Sequence, residues 1–268
     1  MNYNTVVLKK EDHITTLLLN RPDRMNAVSP EMAKELLAAL GEIDQDEDTR
    51  VVVVTGAGKA FCAGADVGGM AGGNEPGVGS QTAEEQRRWH ARVLGKITVG
   101  LQKLEKPTIA MVNGVAVGGG FDVALACDMR IGSENARFMN AFVRIGLFPG
   151  WGGTWLYPRV MGLAKAFEYL FTGDFLEAKE AERIGVLNRM VPAAELEKET
   201  MTLARKIASG PPIAIRLMKL QAYKGLQMDM ETAVEMAAAC ESITLKSEDH
   251  REGIAAFREK RPAAYKGK

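Results

Sequence analysis

The chain has 268 residues, and its 34 Lys and Arg residues balance its 34 Asp and Glu residues, so its formal net charge is zero. That balance argues against a nucleic acid or a membrane surface as a general partner. The longest apolar runs fall far short of the ~20 residues that cross a bilayer, and the first residues lack the basic-then-apolar pattern of a signal peptide. We therefore expect a cytoplasmic protein whose length suits one large domain, alone or with a helical appendage.

The residue types that most often bind metals or form disulfides are few and scattered. The cysteines are Cys62, Cys127 and Cys240, and the histidines are His13, His90 and His250. Three widely spaced cysteines predict no disulfide framework, and no two histidines have the spacing of a zinc motif. We expect no metal site.

The N-terminal segments alternate between strand and helix patterns. Two aliphatic runs at residues 6–8 and 14–19, separated by charged residues, predict an edge hairpin. Ser29 and Pro30 mark a helix start, because a capping hydroxyl precedes a proline at the first helical position. The apolar stripe of this helix is Met32, Leu36, Leu40 and Ile43. Residues 51–55, four valines and a threonine, predict a strand buried on both faces of a largely parallel sheet.

A segment of small residues, GAGKAFCAGADV at 56–67, follows this strand. Its lysine precedes Ala60 rather than Ser or Thr, and no GxGxxG pattern opens a helix, so a nucleotide-binding loop is disfavoured. We interpret residues 63–65 as backbone that can lie flat against a ligand. Residues 68–80 contain six glycines and one proline, which predicts either a mobile loop beside the site or a plain linker.

Residues 82–104 have the pattern of a helix that two glycines weaken. Trp89 and His90 are adjacent in it, and adjacent helical residues project about 100° apart. We therefore expect at most one of them to face a pocket directly. His90 is expected to face solvent or to be satisfied within the core.

The stretch 108–128, TIAMVNGVAVGGGFDVALACD, predicts a strand, a turn and a helix. Gly118, Gly119 and Gly120 carry no Cβ, so a ligand can approach the main-chain N–H groups closely. The helix expected at 121–127 directs its positive end and unpaired N–H groups to the same place. This corner suits a negative charge that develops on oxygen, with the Asp122 carboxyl beside it, although a glycine turn before an ordinary helix has the same pattern.

The remaining residues predict a short strand, a glycine turn and mostly helix. A strand is expected at 129–131, a tight turn at 149–153, another strand at 187–191, and helices near 213–223, 230–245 and 251–260. We predict a strand-and-helix core with the active site over residues 1–195. Residues 196–268 are predicted to form a C-terminal helical subdomain.

Several motifs occur together in one order and spacing, and together they are similar to the crotonase superfamily of enoyl-CoA hydratases and isomerases. They are RPDRMNAVS at 21–29, FCAGADV at 61–67, KPTIAMVNGVAVGGGFDVALACD at 106–128, FPGWGGT at 148–154, EAKEAERIGVLNRMVP at 177–192 and REGIAAFREKRP at 251–262. The resemblance covers essentially the whole chain. It implies an α/β fold built as a spiral of ββα turns, with a C-terminal helical region that assembles a homotrimer or a dimer of trimers.

The resemblance also implies an acyl-CoA thioester substrate and no separate cofactor, since coenzyme A is part of the substrate. By their positions in the matching motifs, the amides of Ala65 and Gly119 are implied to hold the thioester oxygen. Gly118 is implied to contact the substrate beside them. Such donors stabilise the charge that moves onto that oxygen as an enolate forms. The residues implied to lie along coenzyme A are Arg24, Ala27, Ala63, Asp66 and Val67, and Lys260 is implied to pair with one of its phosphates.

The acid and base positions depart from those of the family that the chain resembles. Hydratases of this family have two glutamates, where this chain has Asp122 and Phe142, and some isomerases have an aspartate where it has Gly150. One of three usual carboxylate positions is therefore kept. Phe142 is expected to make the acyl end of the site bulky and apolar, and an apolar pocket around Phe121, Phe142 and Phe148 is expected to raise the Asp122 pKa.

Three functions are compatible with this pattern. The first is hydration or isomerisation of an unsaturated acyl-CoA with Asp122 as the single carboxylate, assisted by His90 if its helix faces the pocket. The second is hydrolysis or decarboxylation of an acyl-CoA through the same oxyanion hole. The third is a non-catalytic CoA-binding subunit of a larger assembly.

Overall fold

The computed structural model describes residues 3–66 and 82–268. The glycine-rich segment expected to form a loop at 68–80 lies outside the described residues. The strands are β1 Val6–Glu11, β2 Ile14–Leu19, β3 Val51–Gly56, β4 Ala60–Cys62, β5 Thr108–Val112, β6 Val115–Val117, β7 Met129–Ser133, β8 Arg137–Met139, β9 Phe175–Glu177 and β10 Arg189–Val191. The helices are α1 Pro30–Gln45, α2 Ala83–Trp89, α3 Gly95–Lys103, α4 Gly119–Ala126, α5 Gly153–Met161, α6 Leu163–Thr172, α7 Ala178–Arg183, α8 Leu196–Ala208, α9 Pro212–Gly225, α10 Met230–Lys246 and α11 Glu248–Glu259.

The strands form two sheets that the chain visits alternately. The first sheet has the order β1-β2-β3-β5-β7-β10, and the second has the order β4-β6-β8-β9. The pairs β3/β4, β5/β6 and β7/β8 each give one strand to each sheet before the chain continues towards a helix. This repetition is the spiral of ββα turns that the sequence resemblance implied, so the predicted fold is confirmed.

The first helix and the central strands form as their residues predict. The Ser29 side chain accepts a hydrogen bond from the Met32 amide, and Pro30 opens α1. The predicted stripe of this helix is buried, with Met32 fully inaccessible. All six residues of β3 are buried, because β3 lies between β2 and β5 in parallel pairing.

Four short strands were not predicted from the sequence. β4, β6, β8 and β9 have three residues each, which is too short for a periodic pattern to identify. β6 begins directly after the Asn113-Gly114 turn, so the chain turns back into the second sheet at once. α4 begins at Gly119, two residues earlier than expected, and β10 begins at Arg189 rather than residue 187.

The C-terminal helices differ in how they are buried. α8 covers the first sheet, and its Leu196, Ala204 and Ala208 join a cluster with strand residues such as Ile109 and Ile131. By contrast, α9 and α10 have no fully buried residue. Across residues 3–66 and 82–268, no helix is long and apolar enough to span a membrane. The domain boundary near residue 195 stays a prediction.

Candidate active site

A glycine corner joins β6 to the start of α4. Gly118 has φ 52° and ψ −119°, a conformation that side chains disfavour, and its amide donates to the Met139 carbonyl at 2.8 Å. Gly120 must lack a side chain because an added Cβ would lie 2.2 Å from the Cys62 carbonyl oxygen of β4. Gly119, between them, is the first residue of α4, so its amide has no acceptor inside the helix.

A second backbone segment lies against this corner. Val28 pairs with Ala65 in a parallel bridge, in which the Val28 amide donates to the Gly64 carbonyl and the Asp66 amide donates to Val28. The Ala65 amide therefore points away from Val28. Gly64 has φ +89°, and a Cβ there would be 3.4 Å from the Gly119 nitrogen. Among the described residues, neither the Ala65 amide nor the Gly119 amide donates a hydrogen bond to a main-chain or side-chain acceptor.

Asp122 lies in the first turn of α4, three residues after Gly119. Its side chain has no exposed surface, and burial raises its pKa to about 8. The Gly153 amide at the start of α5 faces the carboxyl and opposes that rise. Neither carboxyl oxygen, however, makes a well-formed hydrogen bond to a described residue. Near neutral pH the carboxyl is therefore mostly protonated.

The surroundings of Asp122 differ in part from the expected aromatic pocket. Tyr157 is fully buried, and burial together with the nearby Asp122 charge raises its pKa well above the usual value. Its ring lies 4.6 Å, centroid to centroid, from the buried Phe121 ring. Phe148, which was expected to help enclose Asp122, is 72% exposed, because it lies on the loop before α5. That part of the prediction is wrong, and the buried Tyr157 side chain lies near Asp122.

A cavity of about 240 Å³ opens beside Ala65. Its lining includes Val28, Ala65, Trp89, His90, Leu94 and Leu147. Larger cavities of about 430 and 540 Å³ lie where α8 and α9 approach the first sheet, but none of Ala65, Gly119 or Asp122 lines them. We assign the smaller cavity to the site because Ala65, whose amide donates no hydrogen bond within residues 3–66 and 82–268, borders it, whereas Gly119 and Asp122 lie outside its lining.

Trp89 and His90 both line this cavity, so the expectation that at most one of them faces a pocket is wrong. The physical reason is a change of helix type at this point. α2 ends at Trp89, and residues 90–94 form a single π-helical turn before α3. The wider turn brings neighbouring side chains closer to one face than the α-helical spacing predicts.

Phe142 and Gly150, the positions without a carboxylate, both lie near the glycine corner or the cavity. Two ring atoms of Phe142 would be 3.5 Å from a Cβ added to Gly118. A Cβ added to Gly150 would be 3.3 Å from the Cδ2 atom of His90. An apolar ring therefore lies beside Gly118, and the His90 imidazole lies beside Gly150.

The residues predicted to contact coenzyme A are only partly brought together. Ala27 and Ala63 lie on the two segments joined by the Val28–Ala65 bridge, and the Ala63 amide donates to the Met25 carbonyl at 2.9 Å. Arg24 is exposed in a short 3-10 turn before these segments. Lys260 is exposed just beyond the end of α11 and does not line the cavity. Val67 lies outside the described residues.

Sequence reasoning missed the contact between Arg21 and Asp66. The Arg21 guanidinium donates to the Asp66 carboxylate at 2.9 Å and also to the Ala27 carbonyl. It thereby ties the chain before α1 to the segment that carries Ala65. Arg21, the basic residue that opens the RPDRMNAVS motif, was the available signal for this contact. No spacing rule predicts that it pairs with residue 66.

The sequence and the fold are similar to those of known enoyl-CoA hydratases. The profile of the family "Enoyl-CoA hydratase/isomerase" matches residues 9–268. The short-chain-enoyl-CoA hydratase of Clostridium acetobutylicum is 38% identical over 97% of each chain, and the crotonyl-CoA hydratase of Syntrophomonas wolfei is 37% identical over 99% of each. The crystal structure of an enoyl-CoA hydratase from Bacillus anthracis superposes with a TM-score of 0.92 at 35% identity, over 99% of this chain and 100% of that one.

The chain belongs to the enoyl-CoA hydratase/isomerase family of the crotonase superfamily. It is accordingly an enzyme of that family, which acts on CoA thioesters.

Proposed function

We propose that this enzyme adds water across the Cα–Cβ double bond of an enoyl-CoA thioester. The observation that carries the proposal is the pair of amides at Ala65 and Gly119, on touching segments, without acceptors among the described residues. Water addition at Cβ moves an electron pair through Cα onto the thioester oxygen. Two amides and the positive end of α4 stabilise that charge where it develops.

Asp122 acts as the acid that completes the addition. Its raised pKa of about 8 keeps it protonated near neutrality, so it can give a proton to Cα of the enolate. It lies three residues after Gly119, in the first turn of the helix whose first amide is the proposed oxyanion donor. The acid and the oxyanion hole are thereby held by one rigid element.

The apolar acyl group and the polar coenzyme A of the proposed substrate contact different parts of the site. The acyl group occupies the cavity beside Ala65, against Trp89 and Leu147. Phe142 packs beside Gly118 at the glycine corner and is assigned to the acyl end of the site. Coenzyme A runs along the segments that carry Ala27 and Ala63. The other residues that we assign to coenzyme A are Arg24, Asp66, Val67 and Lys260. Arg24 and Lys260 supply cationic groups suited to its phosphates.

A panel of linear, branched, cyclic and aromatic enoyl-CoAs in heavy water tests the reaction type, with mass spectrometry as the measurement. Hydration adds one molecule of heavy water to at least one substrate and releases no free coenzyme A. Free coenzyme A would instead identify a hydrolase, and carbon dioxide a decarboxylase. CoA binding without any turnover would identify a non-catalytic subunit and would contradict the proposal.

We also propose that the protein assembles as a homotrimer or a dimer of trimers. The support is the apolar surface of the C-terminal helices, because monomers rarely expose large apolar patches without a partner. Met230 is 82% exposed, Phe257 is 85% exposed and Leu226 is 67% exposed, on or beside α9, α10 and α11. Analytical ultracentrifugation should give the mass of three or six chains, and a monomer at micromolar concentration would contradict this assembly.

A further inference from the structure

His90 stands at a structural irregularity that faces the proposed site. It is the first residue of the π-helical turn at 90–94, and such turns in α-helices occur frequently at functional sites. Its side chain lines the same cavity as Ala65, whose amide we assign to the oxyanion hole. The residue is also exposed, so water can reach its side chain.

A main-chain contact fixes which ring nitrogen is available. The Nδ1 atom of His90 lies 2.8 Å from the Gln86 carbonyl oxygen. Since a carbonyl oxygen only accepts hydrogen bonds, Nδ1 must carry the hydrogen, and the neutral ring leaves its lone pair on Nε2. The helix thus holds the imidazole in the tautomer that can accept a proton at Nε2.

Glycines at two positions make room for this arrangement. A Cβ on Gly150 would lie 3.3 Å from His90 Cδ2, the ring atom bonded to Nε2, so the bare backbone at 150 leaves space for the imidazole edge. A Cβ on Gly95 would lie 3.1 Å from the His90 carbonyl oxygen and 4.0 Å from the Gly150 carbonyl oxygen. The loop that contains Gly150 and the turn that contains His90 are therefore packed closely together.

We propose that His90 is a further catalytic residue, the base that activates the water attacking Cβ. This inference rests on the proposed hydratase function and supplies the second proton-transfer group that one carboxyl leaves missing. It also provides a base in a chain whose residues at the other two expected carboxylate positions, Phe142 and Gly150, cannot accept a proton. The group is supplied by the π-helical turn at 90–94, which borders the cavity beside Ala65.

The step balances with water as the only added reactant. His90 Nε2 takes a proton from water as its oxygen bonds to Cβ, the double-bond electrons move onto the thioester oxygen, and Asp122 gives its proton to Cα as the thioester carbonyl reforms. The enzyme is left with protonated His90 and ionised Asp122. Loss of the histidine proton to solvent and uptake of one by Asp122 restore the starting state.

Replacement of His90 by Ala tests the assignment, with His250→Ala as the matched control on the exposed face of α11. We expect kcat for hydration to fall roughly 10²- to 10⁴-fold, because general acid–base catalysis typically contributes that much. KM should change little, and added imidazole should restore part of the rate by occupying the vacated space. The control variant should retain the wild-type kcat.

A second measurement separates a catalytic role from a structural one. Exchange of the Cα protons of a saturated acyl-CoA with heavy water needs Asp122 and the oxyanion donors but no attack by water at Cβ. His90→Ala should therefore keep this exchange within about threefold of wild type while hydration is lost. Hydration that survives the substitution, or joint loss of hydration and exchange without rescue by imidazole, would overturn the assignment. Failure of the His90 assignment can be distinguished from failure of the proposed hydratase function, because in the second case the wild-type enzyme would hydrate no substrate of the panel.

Discussion

Asp122→Asn is expected to reduce kcat for hydration by roughly 10²- to 10⁴-fold, the usual contribution of a positioned proton donor. The amide has almost the same shape as the carboxyl, so the packing around the fully buried side chain should persist. The asparagine amide, however, cannot donate a proton to carbon and then regain one from solvent. Steady-state kinetics on the best enoyl-CoA of the panel measures the loss, and Cα proton exchange should fall in parallel.

The same substitution should make the protein more stable above about pH 4. The folded state holds the Asp122 proton up to a pKa of about 8, whereas the unfolded chain releases it near the ordinary pKa of 3.8. The folded state therefore binds more protons across this window, so stability falls as pH rises, by about 1.4 kcal/mol per pH unit. The asparagine side chain of the variant does not titrate in this range, so the gain in melting temperature should grow from pH 4 towards pH 8.

Asp12→Asn serves as the control for both measurements. Asp12 is exposed in the β1–β2 turn with φ 51°, a conformation that Asn also adopts readily. Its replacement should leave kcat unchanged and, because the side chain is exposed and no burial is relieved, should bring no gain in melting temperature. Asp122→Asn with wild-type turnover of every accepted substrate would show that Asp122 is not the acid.

Gly119→Ala is expected to cost about 10²- to 10³-fold in kcat, the typical effect of losing one oxyanion donor. An added methyl group would lie 2.6 Å from two ring atoms of Trp151. Trp151 is 1% exposed, and its carbonyl accepts a hydrogen bond from the Thr98 hydroxyl at 2.6 Å, so the ring cannot retreat easily. The start of α4 must therefore move, and its first amide moves with it.

Gly41→Ala is the matched control, since the same methyl group on α1 would have no atom within 4 Å. An exposed helical Gly-to-Ala change should stabilise the fold by about 0.5–1 kcal/mol and leave kcat unchanged. Addition of Trp151→Ala to Gly119→Ala should restore space and recover part of the lost rate. Wild-type activity of Gly119→Ala alone would rule out the proposed role of this amide.

Much of the scaffold could be predicted from local chemistry. The Ser29 cap, the buried stripe of α1 and the valine strand β3 follow from helical periodicity and continuous burial, and each forms where predicted. Three-residue strands such as β6 could not be predicted, since they exist only because neighbouring strands of the second sheet pair with them.

The site was less accessible to such reasoning, because it is assembled by contacts between distant segments. No periodicity relates Ala65 to Gly119, and their approach depends on Gly64 at φ +89° and on the Val28 bridge. The family resemblance supplied that pairing. The positions of Trp89 and His90 depend on a π turn, and no residue pattern in this segment distinguishes its hydrogen bonding from that of an α-helix.

The use of main-chain amides in the proposed oxyanion hole has a consequence for how such an enzyme can acquire new reactions. If the two groups that hold the thioester oxygen are peptide nitrogens of Ala65 and Gly119, side-chain replacements at other positions of the site leave both N–H groups on the chain, since only proline lacks that hydrogen. Proton carriers can then be exchanged or relocated, as the aromatic ring at 142 and the bare backbone at 150 illustrate, while activation of the thioester persists throughout the change.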